Sequence, residues 1–363
     1  MLAWMLATAV ALTAPGNHVT PQLDVDCQSE RALDRALARA ARLGGVDLVL
    51  HGVCRGHFVI KTPGITLRGA TAESGLGAPE GDDRNDPVLE IVNVEASLRN
   101  LAVEGGTIGV QVRGFDSEVL LFGVDVRGQQ NGVGVWAQRG GRIRILDSNI
   151  HDGYTGIAAD SDSNVNLQRV VVSGQNTGVY VAGGSFAALN DSTIENNREA
   201  GLSVGGRSDV NILGGTFREN GQIHVAVSDW SGVSLVTPVT LGSDTDATPN
   251  ALGASRGSVI QSYSTPEIHG DAVALDGGAL RLGNAVLHGN LIVFVFANAT
   301  VRDGEITGSV FCFDGSDAIC SSVTSGGAFG CPSPTCEDAT AGTAAPVPPL
   351  PQVPRPRSTP LQR

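Results

Sequence analysis

Gln111, Arg113, Trp136, Asp160, Tyr180, Ser203 and His224 stand at matching places around a motif, glycine-apolar-any-apolar, that the sequence repeats. Together they offer two flat aromatic faces, opposite charges, amide and hydroxyl groups and an imidazole. Aromatic faces lie well against the apolar side of a sugar ring, while amide, hydroxyl and charged tips hydrogen-bond its hydroxyls. The set suits a polysaccharide or cell-surface glycan. A further line, Gly123, Asp147, Arg169, Asp191 and Gly214, puts one arginine between two carboxylates. An arginine so placed keeps both carboxylates ionised, which fits a ladder of ion pairs and removes the protonated acid that glycoside hydrolysis requires.

Other chemistry is thinner. Asp160, Asp162 and Asn164 begin like a calcium loop, but its sixth and twelfth positions are Val165 and Val171 in place of Gly and Glu. Asp82, Asp83 and Asp86 read as a solvated acidic turn. Calcium is the one ion these runs suggest; otherwise no cofactor and no metal is expected. His51, His57, His151, His269 and His288 show no shared column and are assigned no role. The cysteines fall into an early pair, Cys27 and Cys54, and a late group, Cys312, Cys320, Cys331 and Cys336. The first pair is expected to join; the last four allow three connectivities.

What holds such residues in line is the repeat. Glycine-apolar-any-apolar, or its equivalent, begins at 109, 132, 156, 178, 201 and 222, in steps of 23, 24, 22, 23 and 21 residues. A second register keeps the same period: Val119, Leu121, Val126; Ile143, Ile145, Ile150; Val165, Leu167, Val172; Ala187, Leu189, Ile194; Val210, Ile212, Phe217. Apolar residues alternate within each short segment, which is the period of a strand. A unit of about 22 residues with several short strands cannot close a core alone, so units must stack. The expected fold is all-β, a parallel β-solenoid, with Gly and Asn at corners that need left-handed backbone.

Equivalent residues of stacked strands lie about 4.8 Å apart, so columns are the natural units of a site. In this frame Val110, Val133, Ile157, Val179 and Leu202 form one interior line. Gln111, Gly134, Ala158, Tyr180, Ser203 and His224 form an outward column, with Arg113, Trp136, Asp160, Ala182, Gly205 and Ala226 beside it. Trp136 and Tyr180 are then two coils, about 10 Å, apart.

The coil length, the Asn-rich turn before the motif and the two-strand register resemble the right-handed parallel β-helix of the pectin-lyase superfamily, over roughly residues 47–320. The resemblance implies a fold; that architecture hosts several functions. It also implies catalytic signatures that this chain does not complete. Polygalacturonases carry Asn-Thr-Asp, Asp-Asp, Gly-His-Gly and Arg-Ile-Lys, against Asn176-Thr177-Gly178, Asp82-Asp83, Gly56-His57-Phe58 and Arg142-Ile143-Arg144 here. Mannuronan epimerases carry Asp-Pro-His-Asp after an Asn-Asn-Arg turn; Asn196-Asn197-Arg198 keeps the turn without the motif. Binding is therefore expected ahead of a noncatalytic structural or adhesive rod, and both ahead of a lyase, hydrolase or epimerase with non-standard residues.

The ends complete the expected layout. Leu2 to Ala14 is an apolar run too short to span a bilayer and reads as a signal peptide, residues 1–14, which with the even cysteine count implies a secreted, periplasmic or surface location. No later segment is apolar enough to cross a membrane. Within 22–45, Leu33, Ala36, Leu37 and Ala40 share one helical face, a short cap over the open end of the first coil. The β-helix follows over 46–320, with Leu241 to Ser258 as a polar insertion. A cysteine-bearing segment, 321–338, and a Pro-rich disordered tail, 339–363, close the chain. With Lys+Arg 24 against Asp+Glu 37, the net charge of −13 repels phosphate backbones, so nucleic acid is not a partner.

Overall fold

The computed structural model describes residues 20–81, 85–129, 131–245, 249–313, 315–321, 323–329, 331 and 337–338. The expected signal peptide and Pro-rich tail, with Asp82, Asp83 and Cys336, lie outside them.

The chain winds as a parallel β-helix. Among the described residues, thirteen strands, one per turn, form one sheet, and the rest of each turn, two short strands or, over Phe186–Glu195 and Asp209–Arg218, one continuous strand, runs in a second, larger sheet. In a typical turn the strand Ile108–Arg113 belongs to the thirteen-stranded sheet, and Glu118–Phe122 and Asp125–Arg127 to the larger one. Strands pair in parallel with their equivalents one turn before and after. Stacking fills the interior with columns of aliphatic side chains, all essentially out of water: Val119, Ile143, Val165, Ala187, Val210 and Val233 are one. Burying such apolar surface stabilises the fold by about 25 cal/mol per Å².

The corners explain the glycines. Where the thirteen-stranded sheet turns into the larger one, consecutive residues take positive φ, as at Arg139 and Gly140 (51°, 81°) or Gly183 and Gly184 (63°, 77°). Buried serines just beyond are joined turn to turn: the Ser163, Ser185, Ser208 and Ser231 amides donate to the hydroxyl oxygens of Ser185, Ser208, Ser231 and Ser258, at 3.1–3.2 Å. At the opposite corner the Gln175 amide donates to Asn197 Oδ1 at 3.1 Å, and Asn197 Nδ2 to Asn220 Oδ1 at 2.8 Å. Each corner thus satisfies backbone that would otherwise be buried without partners.

The helix forms where expected, over Ala32–Ala40, with Leu33 and Ala40 buried and Ala36 and Leu37 against the core. Cys27 is disulfide-bonded to Cys54, tying the strand Gln22–Asp26 to the first turn. At the far end Cys312 joins Cys331, and Cys320 is also disulfide-bonded.

Two features of the sequence frame are corrected. The interior line runs Leu89, Val110, Val135, Ile157, Val179 and Leu202, so Val135 takes the place expected for Val133. Gly132-Val133-Gly134-Val135-Trp136-Ala137 satisfies the motif in two frames, beginning at Gly132 or at Gly134. The chain uses the one placing Gly134 in line with Gly109, Gly156 and Gly178, where a Cβ would come within 2.6–2.7 Å of the next turn's carbonyl oxygen. Val133 pairs with Ile108 instead and packs outside the barrel. The segment Leu241–Ser258 is only partly an insertion. Asn250–Ala254 is a full strand paired with Ile223–Val227, with Ala251, Leu252 and Ala254 in the core.

Candidate functional site

The shift by two residues rearranges the expected columns on the outer face of the thirteen-stranded sheet. Glu90, Gln111, Trp136, Ala158, Tyr180, Ser203 and Ala226 form one, with Arg113, Gln138 and Asp160 beside it. Trp136 and Tyr180 therefore share a column, two turns apart, where the sequence frame had placed them in neighbouring ones. Trp136 is only 7% exposed, packed with Ile108, Val133 and Ala158 in a cluster against which Tyr180 also lies. It is a packing residue, not an open platform.

Ser203 is also buried, and His224 leaves the site altogether. The register Leu202↔Val225 sets His224 opposite Gly201, in the inward glycine column, fully buried. Asn220 Nδ2 lies 3.0 Å from His224 Nδ1. An amide NH2 can only donate, so Nδ1 accepts and the ring proton sits on Nε2.

What remains outward and half-buried is Gln111, Arg113, Asp160 and Tyr180, joined by Glu90 and Gln138. Arg113 pairs with Glu90, and Gln111 Nε2 donates to Gln138 Oε1 at 3.1 Å. Asp160 Oδ1 accepts from the Ser161 amide at 2.7 Å. Burial, with the Asp160 and Asp229 charges adding to it, raises the Tyr180 pKa, so the phenol stays a hydrogen-bond donor. The result is a polar strip across four consecutive turns, closed by one aromatic ring.

The larger sheet presents a second outward column that the sequence frame missed: Arg55, Gly77, Glu104, Arg127, His151, Ser173, Glu195 and Arg218. The signal was present, since each later member follows the third apolar residue of the second register. Glu104 accepts from Arg55 at 3.0 Å and from Arg127 at 3.4 Å, Arg127 also pairs with Asp125, and Glu195 accepts from Arg218 at 2.6 Å. His151 lies between Asp152 (2.7 Å) and Asp125 (3.0 Å). Burial pulls its pKa down, but the two carboxylates together outweigh that and raise it. Arg55, Glu104, Arg127 and Asp152 border an open cleft of about 640 Å³. Further along, His269 and His288 pair in the same outward line, so the histidines expected to share no column do share one.

The line Asp147, Arg169, Asp191 follows a bend in the backbone at φ 48°, 53° and 44°, which in the third case falls within the continuous strand Phe186–Glu195. Arg169 grips Asp147 through two bonds of 2.6 and 2.8 Å, which holds that carboxyl below the usual range. Asp160 to Asn164 forms a corner, with Ser161 and Asp162 at φ 57° and 61°. Three large aromatic residues sit exposed on this edge: Phe115 (73%), Trp230 (73%) and Phe296 (76%). Among the described residues, no helix is long and apolar enough to cross a membrane.

These features define a right-handed parallel β-helix with elongated polar outer faces. A family described as the right handed beta helix region matches residues 90–240. No curated protein matches the chain. Among solved structures it is similar to the A-modules of two Azotobacter vinelandii mannuronan C-5 epimerases, AlgE4 and AlgE6, each at 16% identity with TM-scores of 0.57 and 0.59. Those likenesses cover 85% and 86% of this chain and 95% of each module. The catalytic unit of a GH87 alpha-1,3-glucanase from Streptomyces thermodiastaticus is 13% identical, with a TM-score of 0.48 over 88% of this chain and 70% of that one. At these identities the likeness is one of fold alone, the right-handed parallel β-helix.

Proposed function

We propose that this is an exported protein that binds an uncharged polysaccharide along the outer face of its thirteen-stranded sheet. The observation that carries the reading is the strip of Glu90, Gln111, Arg113, Gln138, Asp160 and Tyr180, half-buried and in register over consecutive turns. The rise of about 4.8 Å per turn is close to the length of one pyranose in an extended chain. A glycan lying along the axis meets one set of polar tips per sugar, and Tyr180 supplies the ring to stack on. With acidic groups at both ends and a net charge of −13, the strip favours neutral sugars over uronates. The disulfides support an oxidising compartment.

A glycan array probed with the full chain tests this. Binding to a neutral glycan that Tyr180→Ala and Gln138→Ala both weaken supports it. Binding to no glycan, or to uronates alone, refutes it. The exposed Phe115, Trp230 and Phe296 on the corner edge favour a second reading, a noncatalytic adhesive rod that meets other surfaces through that edge.

A further inference from the structure

We propose that Glu267, His269 and His288 form a binding site for a first-row divalent transition-metal ion, with Zn²⁺ the best fit. Glu267 and His269 project from one face of the strand Glu267–His269, on either side of the buried Ile268. His288 ends the next turn's strand directly opposite His269, and the two imidazoles stack at 4.4 Å. Glu267 Oε1 lies 3.2 Å from His269 Nε2 and 3.8 Å from His288 Nε2. One ligand atom from each of the three residues lies within 4.8 Å of the other two. Donors about 2.0–2.1 Å from a tetrahedral ion are spaced about 3.4 Å apart, so small side-chain rotations close the site without moving either strand.

Two further features favour a metal over a plain ion pair. Asp244 Oδ1 lies 3.0 Å from Nδ1 of His269, the nitrogen turned away from the other donors, though off the line of a hydrogen bond. A small turn of the exposed Asp244 side chain would let it accept from that nitrogen, and a carboxylate so placed fixes a ligating imidazole and strengthens it as a ligand. One turn earlier, the place opposite His269 is Gly242, at φ 82°, where any Cβ would fall 2.7 Å from the His269 carbonyl oxygen and 3.1 Å from its Cβ. That glycine lets the chain turn away and bring Asp244 over the ring. The donor set, two imidazoles and one carboxylate, suits zinc, nickel or copper and is a poor match for calcium or magnesium, which prefer all-oxygen shells. Three protein donors leave a fourth position for water.

Calorimetric titration of chelator-stripped full-length protein with Zn²⁺ tests the site. One equivalent is expected to bind saturably, with no matching heat from Mg²⁺ or Ca²⁺. His288→Ala and Glu267→Gln should each weaken binding at least tenfold, and Asp244→Asn several-fold. His151→Ala, at a histidine flanked by carboxylates elsewhere in the same column, should leave it unchanged. Circular dichroism of each variant separates loss of the site from loss of the fold. Absence of saturable Zn²⁺ binding, equal affinity in a folded His288→Ala variant, or tighter Ca²⁺ than Zn²⁺ binding would overturn the assignment.

Discussion

Trp136 and Tyr180 occupy one outward column on either side of Ala158, and only Tyr180 retains open surface. Two aromatic rings two turns apart thus have different work: the indole is packed among Ile108, Val133 and Ala158, while the phenol borders the polar strip. Tyr180→Ala should abolish most glycan binding and leave the denaturation midpoint nearly unchanged. Trp136→Ala should instead cost about 3 kcal/mol of stability. Urea unfolding and glycan binding measured on both variants check the separation; a larger binding loss from a still-folded Trp136→Ala would reverse the assignment.

His224 is the structural counterpart. It fills an inward position that a glycine holds in the preceding turns, and takes a hydrogen bond from Asn220. His224→Ala should destabilise by about 2–4 kcal/mol, through the cavity and the weakened Asn220 anchoring. Glycan affinity at a temperature where the variant is folded should match the parent.

His151 sets a pH window. Its folded pKa lies above the unfolded value of about 6.5 because Asp152 and Asp125 together outweigh burial. The protonated ring therefore adds stability that is complete below about pH 6.5 and fades as pH climbs through the folded value. The site is partly open, so the effect should stay under about 1 kcal/mol. Unfolding curves of parent and His151→Gln between pH 5 and 9 should differ most at the acid end and converge at the alkaline end.

Val295 and Phe296 hold φ 49° and 55° at a corner whose equivalents elsewhere are mostly Gly, Asp, Arg or Ser. A β-branched residue in that conformation is strained by about 1–2 kcal/mol. Val295→Asn should raise stability by about 1 kcal/mol, read as an upward shift of the melting temperature. A fall would show that the valine side chain contributes more through packing than its backbone loses.

The period of the solenoid was legible because two apolar registers recur together, and the amphipathic helix because its four apolar residues share a face. The registration of single turns was less so. Gly132 and Gly134 fit one motif equally well, and the choice depends on a close approach to the next turn's carbonyl, which no local pattern encodes. Alternation correctly turns Trp136 and Ser203 outward, yet outward is not exposed, and their covering depends on neighbours remote in sequence. The Glu104 to Arg218 column followed a regular spacing, but its members are the last residues of their strands, each one position beyond the apolar residue that marks the register. His269 and His288 meet only because turns near the C-terminal end shorten to 19 residues, which hides their equivalence from a longer period.

Every turn of this molecule is held by the turns on either side, and such stacks commonly fray from their extremities. Here Cys27–Cys54 fastens the first winding, beneath a helix, and Cys312–Cys331 fastens the last. A spool so fastened resists unwinding at the first and last of its described turns. Under tension or attack by proteases in an oxidising medium, unravelling has to start in the middle of the stack, and chemical reduction should move that weak point to the tips.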